Sequence, residues 1–219
     1  SNTIVLITLI CTHKYLRAYP CYDEHSIIAN FMLKILRIVN GEIMADKIII
    51  FSGKQYAGKD TAAKILLDSM PEFHRCAMGD IIKLTYGKEK GLTYDEIEKN
   101  KAKYRADLIT LGNWGRSQSP DYWLEKIIEQ DGNIVVTDVR IPHEYSVFKN
   151  AGAISIRIEA TRDVRANRGQ LIGEDDITEV GLDDVKDWNY VIENNSDYEA
   201  LKRKVLEVTE EIQKKYYYP

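Results

Sequence analysis

The stretch Ile48 to Thr61, IIIFSGKQYAGKDT, constrains this chain more than any other, because an apolar run breaks there into a glycine-bracketed loop that carries a lysine. Ile48, Ile49, Ile50 and Phe51 read as a strand buried in a parallel sheet. Gly53 and Gly58 let the backbone turn, so that successive N–H groups of the Gly53, Lys54, Ala57 and Gly58 stretch converge on anionic oxygens. Lys59 adds a positive charge. Ala62 to Leu67 has helix-forming composition and aims its N-terminal dipole at the same anion. The pattern is G-x-x-x-x-G-K with Asp60 where Ser or Thr is usual and Thr61 one place later, so Asp60 or Thr61 is expected to serve a magnesium ion, directly or through water. The plain alternative is a strand-to-helix turn that binds nothing.

The 219 residues suit one full α/β core with appendages. A net charge of −4 with interleaved signs argues against a nucleic-acid polymer as partner. Cys11, Cys21 and Cys76 are an odd set without C-x-x-C spacing, which speaks for no disulfide framework, no zinc site and a reducing cytoplasm. Met44-Ala-Asp-Lys reads as a natural start. Residues 1–43 are then an extension, with Ser1 and Asn2 a cloning scar. Within it, Thr3 to Cys11 is too short to span a bilayer, and Ile27 to Val39 has the pattern of an amphipathic helix that packs on the domain, on a second copy or on a membrane surface. Packing is the expectation, with no membrane partner.

From 44 to 219 short apolar runs alternate with helical stretches, the mark of a parallel sheet wrapped by helices. The five strands are expected at Lys47 to Ser52, Phe73 to Met78, Asn133 to Thr137, Ala153 to Glu159 and Asn189 to Glu193. Helices are expected at Asp60 to Met70, Asp80 to Glu89, Tyr94 to Leu111, Pro120 to Gln130, His143 to Asn150, Thr161 to Arg168 and Asp197 to Lys215.

Three further groups carry candidate chemistry. Asp138 and Arg140 follow the third strand, where ligands of open α/β sheets bind, so Asp138 can serve the magnesium shell and Arg140 can clamp a phosphoryl group. Read plainly, Asp138 caps the next helix and Arg140 is a surface cation. Arg162, Arg165 and Arg168 recur every three residues, on one helical face, in a segment of about 160–178 that can act as a lid over bound triphosphate. A solvated charge row is the alternative. Between the second and third strands, about 79–130, Lys83, Lys101, Arg105 and Arg116 supply cations, and Tyr104, Trp114, Tyr122 and Trp123 supply flat surface for an anionic small molecule, although Trp123 reads as core. His74 and His143 read as structural.

The body resembles the small P-loop kinases that group phage-type deoxynucleoside monophosphate kinases with animal-type phosphomevalonate kinase. The matching pieces are FSGKQYAGKDT, Tyr104-Arg105 through Leu111-Gly-Asn-Trp-Gly-Arg116, Pro120-Asp-Tyr-Trp123 and Val136-Thr-Asp-Val-Arg140. Asn167-Arg168-Gly169, Gly173-Glu-Asp-Asp176, Thr178-Glu179, Gly181-Leu-Asp183 and Val191-Ile-Glu-Asn194 follow in order. The resemblance implies a P-loop NTPase with an NMP-kinase-like five-stranded parallel sheet, an arginine-bearing lid, and ATP with Mg2+ as donor. Lys59, the loop amides and Arg162 would hold the donor; Asp60, Thr61 and Asp138 would serve the metal; Lys83, Arg105, Trp114, Arg116 and Arg140 would hold the acceptor; and Lys59, Asp138, Arg140, Arg165 and Arg168 would act in transfer.

The acceptor is expected to be a small molecule that presents a phosphate, and the protein a monomer or homodimer. A nucleoside monophosphate is favoured, since Gln55, Tyr56 and Ile141 stand where the mevalonate enzyme has further basic residues. Phosphomevalonate is the alternative acceptor. A nucleotide-binding protein without catalysis is the alternative of another class.

Overall fold

The computed structural model describes residues 47–130 and 132–217; the extension expected at 1–43, with its amphipathic segment, lies outside them. Five parallel strands form one sheet in the order β2-β3-β1-β4-β5: β1 Ile48–Ser52, β2 Phe73–Cys76, β3 Asn133–Val136, β4 Ile154–Glu159 and β5 Tyr190–Glu193. Isoleucine, valine and phenylalanine dominate β1, β3 and β4, as both faces of a covered parallel sheet require. Side chains alternate across β1. Ile49 and Phe51 pack with Ala62, Leu66, Leu201, Val205 and Ile212 of helices α1 (Lys59–Ser69) and α9 (Tyr198–Tyr217). Ile48 and Ile50 point the other way, into Ile81 and Ile82 of α2 (Met78–Lys90) and Trp123, Leu124 and Ile127 of α5 (Tyr122–Ile128), with Tyr145 and Phe148 of α6 (Pro142–Asn150).

The register aligns Ile50 with Val136 and Ser52 with Arg157, so the carboxyl ends of β1, β3 and β4 open on one edge of the sheet. From β1 the chain crosses toward β2, and from β3 it crosses back toward β4. The reversal leaves a crevice beyond the ends of β1 and β3, the place where such sheets bind ligands.

The single helix expected over Tyr94 to Leu111 is two. Thr93 and Glu96 form a capping box on α3 (Tyr94–Lys99), and Asn100, outside helical geometry at φ −113° and ψ 31°, donates its N–H and its side-chain amide to the Glu96 carbonyl and stops the helix. α4 (Lys101–Gln118) then runs past Gly112 and Gly115, which are contact points rather than stops. A Cβ on Gly115 would lie 2.4 Å from the Trp123 indole nitrogen, and that nitrogen donates to the Gly112 carbonyl. The second strand also ends earlier than expected, at Cys76, because the Met78 N–H is drawn to the Asp138 carboxylate at 2.9 Å and opens α2. Two short helices, α7 (Arg162–Arg168) and α8 (Ile177–Val180), complete the order, and α8 has no counterpart in the sequence expectations. No helix of the described residues is long and apolar enough to cross a membrane.

Candidate active site

The chain leaves β1 through Gly53, where a Cβ would stand 2.7 Å from the Ile158 carbonyl oxygen of β4. Tyr56 at φ 59° and Gly58 at φ 96° are both left-handed, so the loop backbone folds in on itself between them. Only glycine suits position 58. A Cβ there would fall 2.3 Å from Asn194 Nδ2, which donates to the Ala57 carbonyl at 2.8 Å and fastens the loop to the end of β5. Gly58 also brings no capping side chain to α1, so the first-turn N–H groups are left for an outside partner. Loop residues 53–56 and 58–61 line a cavity of about 460 Å³ together with Arg140 and Arg168. Orphan helix donors, two lysines and two arginines around one concavity fit a polyphosphate.

Lys59 lies almost buried, donating to the Thr137 carbonyl at 2.5 Å and to Asp60 Oδ1 at 2.7 Å. It therefore bridges the loop and the end of β3. The Asp60 carboxylate is mostly exposed and, with Thr61, lines the cavity, which places hard oxygen donors where a phosphate-bound magnesium ion would find them. No group of three or more His, Cys, Asp or Glu among the described residues forms a metal cage. Magnesium needs none, since it keeps several waters and takes one or two carboxylates beside substrate phosphates. Asp138 sits behind this position rather than in the cavity wall: burial pushes its carboxyl above the ordinary carboxylate range, the Glu144 charge adds to the rise, and the Met78 N–H and the Lys59 and Arg75 charges oppose it. Arg140 reaches the cavity with one guanidinium nitrogen held by Glu179 Oε1 at 3.2 Å, while its backbone N–H donates to Glu144.

The three arginines expected on one helical face have three different surroundings. Arg162 is exposed and pairs with Glu174 at 2.8 Å. Arg165 is buried, with Nη1 donating to the Gln55 carbonyl, Nη2 3.7 Å from Glu174 and Nε without a partner. Arg168 alone lines the cavity, where it also donates to the carbonyls of Tyr56 and Asn194. A spacing of three on a seven-residue helix rotates each side chain by about 60° from the last, enough to separate solvent, core and cavity. The stretch after α7 is tied down as well. Gln55 exchanges side-chain hydrogen bonds with the Ile172 backbone, and Tyr56 packs so closely on Gly169 that a Cβ there would overlap its ring. Gln55 and Tyr56 of the loop thus dock the segment that follows α7.

In the region expected to take the acceptor, Lys83 is buried against Glu98 at 2.5 Å and also meets Asp80 and Tyr94, so its charge is already matched. Arg105 is exposed on α4, and the nearby Tyr86 hydroxyl donates to Asp107. Trp114 is half exposed and stands edge-on to Tyr122, while Arg116 lies exposed with its guanidinium against Met78 Sδ, next to the N–H that holds Asp138. Trp123 is core, as its apolar neighbours suggested. His143 meets Asp121 at the surface. Sequence reasoning gave no role to Glu179, Asp183 or Asn194, although all three lie in motifs of the resemblance. Their signal was position in a shared motif, without a chemistry attached.

Two family models match the chain. That for phosphomevalonate kinase covers residues 51–153, and that for deoxynucleotide monophosphate kinase covers residues 107–205. Among solved structures, the shikimate kinase of Aquifex aeolicus vf5 is 16% identical with a TM-score of 0.45, covering 75% of this chain and 97% of that one. A gluconokinase from Sinorhizobium meliloti 1021 is 13% identical with a TM-score of 0.46, covering 80% and 97%. The shikimate kinase of Acinetobacter baumannii, in complex with shikimate, is 15% identical with a TM-score of 0.44, covering 79% and 96%. Likeness at this level bears on neither acceptor nor mechanism. The two family matches, meeting on a chain with this loop and this strand order, make the protein a relative of the small P-loop kinases that join phosphomevalonate kinase to deoxynucleoside monophosphate kinase, and its activity phosphoryl transfer.

Proposed function

We propose that the protein is an ATP- and magnesium-dependent kinase of a reducing cytoplasm that phosphorylates the phosphate of a nucleoside monophosphate. The observation that carries this reading is how the cations are spent. Lys54 is paired with Asp183 at 2.6 Å and Lys83 with Glu98, while Gln55 and Tyr56 are used in docking. Arg140, whose guanidinium keeps donors beyond its one contact with Glu179, and the exposed Arg116 remain for an acceptor, and they suit one phosphate better than the phosphate and carboxylate of phosphomevalonate. Half-exposed Trp114 offers a face on which a base can stack.

In this reading Lys59, the loop amides and the first turn of α1 hold the donor phosphates, with Arg168 closing the cavity wall. Asp60 and Thr61 would hold the magnesium shell from the front and Asp138 from behind, and the ion would supply charge neutralisation between donor oxygens. Arg140 holds the acceptor phosphate in line with the donor. The segment around α7 serves as the lid, with Arg165 anchoring it and Arg162 at its exposed rim. No general base is required, because the attacking phosphate oxygen is already an anion. This accounts for a cavity with no histidine among its described lining residues.

The phosphomevalonate reading has one specific observation in its favour, since the model of that family spans the phosphate loop and that of the nucleotide family begins at residue 107. ADP release with ATP and Mg2+ across the deoxynucleoside and ribonucleoside monophosphates and phosphomevalonate separates the two. Turnover with nucleotides alone is the expected result; turnover with phosphomevalonate alone transfers the same mechanism to that acceptor.

A further inference from the structure

Glu179 is the most buried carboxylate beside the cavity, with a side chain only 4% exposed, and both its oxygens are used. Oε2 accepts the backbone N–H of Gln55 at 2.9 Å, inside the phosphate loop, and Oε1 accepts Nη1 of Arg140 at 3.2 Å, beyond the end of β3. The residue is delivered by α8, whose first turn is closed by Asp176 accepting from the N–H and hydroxyl of Thr178. The same element presses on its target from the other end: a Cβ at Gly181 would stand 3.3 Å from the Arg140 carbonyl oxygen. Four residues on from Glu179, Asp183 repeats the arrangement, taking Lys54 at 2.6 Å and the buried Arg157 at 3.2 Å.

We infer that Glu179 is a positioning residue for phosphoryl transfer, one that fixes the Arg140 guanidinium against the phosphate loop; the inference rests on the kinase reading given above. The physical case is geometric. Arg140 is 39% exposed, and a long side chain standing free at the mouth of a cavity samples many rotamers. A buried carboxylate that binds one of its nitrogens, and is itself held by a loop amide, leaves the remaining guanidinium donors turned to the cavity and locks them to the backbone that cradles the donor. The bridge also removes the Gln55 N–H from the set of loop amides open to phosphate. Burying a carboxylate is costly unless it is fully paired, and the carboxylate here is paired only by the two groups whose relative position matters for transfer.

The test is a double-mutant cycle on the full chain with Glu179→Gln, Glu179→Ala and Arg140→Ala, read as kcat and acceptor KM beside thermal unfolding midpoints. Glu179→Ala is expected to lower kcat/KM for the acceptor about thirtyfold with the ATP KM moved by less than about threefold, and Glu179→Gln, which keeps one acceptor oxygen and the shape, to recover part of the loss. Adding Glu179→Ala to Arg140→Ala is expected to cost little more than Arg140→Ala alone, because the carboxylate acts through the arginine. Multiplicative losses in the double variant, or losses that track the unfolding midpoint across all variants, would overturn the inference, as would wild-type kinetics in Glu179→Ala. Should the wild-type protein transfer to no acceptor of the panel, the kinase reading fails separately, and the cycle is read as affinity for inorganic phosphate in the presence of ADP by calorimetry: coupling of more than about threefold between the two sites supports the bridge and independence overturns it.

Discussion

The two ends of the substrate crevice are built to different standards. On the donor side every residue of β1 is buried, and the loop that follows is fastened to its surroundings at Gly53, Ala57 and Gly58 through backbone contacts with β4 and Asn194. On the acceptor side α4 runs for 18 residues with only Gly112 and Gly115 buried, and Ile109 and Trp114 stand about half exposed. The contrast follows from what each side must recognise. A polyphosphate is the same in every reaction of this kind, so its cradle can be made of backbone and core. The acceptor is what differs between such enzymes, and in the proposed reading it is met by long side chains on a lightly covered helix, where exchange of a residue disturbs little else.

The sharpest way to break the comparison is at Lys59. Its ammonium joins the loop to the Thr137 carbonyl, so Lys59→Ala is expected to lower turnover at least about a hundredfold through loss of charge at the transferring phosphoryl group. The core beneath it stays packed, and the unfolding midpoint should move by no more than a few degrees. Retained turnover in a steady-state ADP assay would remove the loop from the reaction and erase the distinction between the two sides. Gly58→Ala probes the fastening instead. At φ 96°, with a Cβ 2.3 Å from Asn194 Nδ2, the variant must break the amide's hydrogen bond to Ala57 or distort the loop, at a cost of about 2–3 kcal/mol in denaturant unfolding. A neutral Gly58→Ala would show that the cradle is softer than its contacts imply.

The five strands, their parallel arrangement and the loop were legible in the sequence because each rests on a local signal: an apolar run of strand length, or glycines at a fixed spacing. Tyr94 to Leu111 misled because helix composition continues through Asn100, and only the capping box of Thr93 with Glu96 and the carbonyl taken by Asn100 fix the break. The helix expected to end at Leu111 continues through Gly112, and nothing local reveals that Trp123, eleven residues on, donates to the carbonyl there. At the site, Lys59, Asp60, Thr61, Arg140 and Arg168 do meet around one cavity. The partners Glu179 and Asp183 were illegible, since their role depends on α8 folding back onto a loop more than a hundred residues earlier. A row of arginines likewise says nothing of which one the fold will bury, and Arg165 shows that the middle member was taken into the interior.

Trp114→Ala tests the acceptor side alone. A half-exposed ring contributes little to the core, so the expected result is an acceptor KM raised about tenfold, roughly the worth of one aromatic stacking contact, with the ATP KM and unfolding midpoint unchanged. Equal effects on both substrates would mean that the two sides are not separable in the way their burial suggests.

The smallest effect sits where the sides meet, at Asp138. Its carboxyl is raised chiefly by burial, so the folded protein holds this proton more tightly than the unfolded chain does. The sign follows from linkage: the group contributes stability at pH below the ordinary carboxylate range, and that contribution is lost as pH rises through the folded value. The ionised form of Asp138 is therefore held at a desolvation cost, opposed by the Lys59 charge and by the hydrogen bond from the Met78 N–H. Asp138→Asn should remove that downward slope from a stability profile taken across the acidic range, and leave the fold at neutral pH at least as stable while turnover falls. A profile that keeps its slope in the variant would place the titrating group elsewhere. Loss of stability at neutral pH would mean that the carboxylate's hydrogen bond to the start of α2 outweighs its desolvation, making Asp138 a fastening of the donor side rather than a charge held for the reaction.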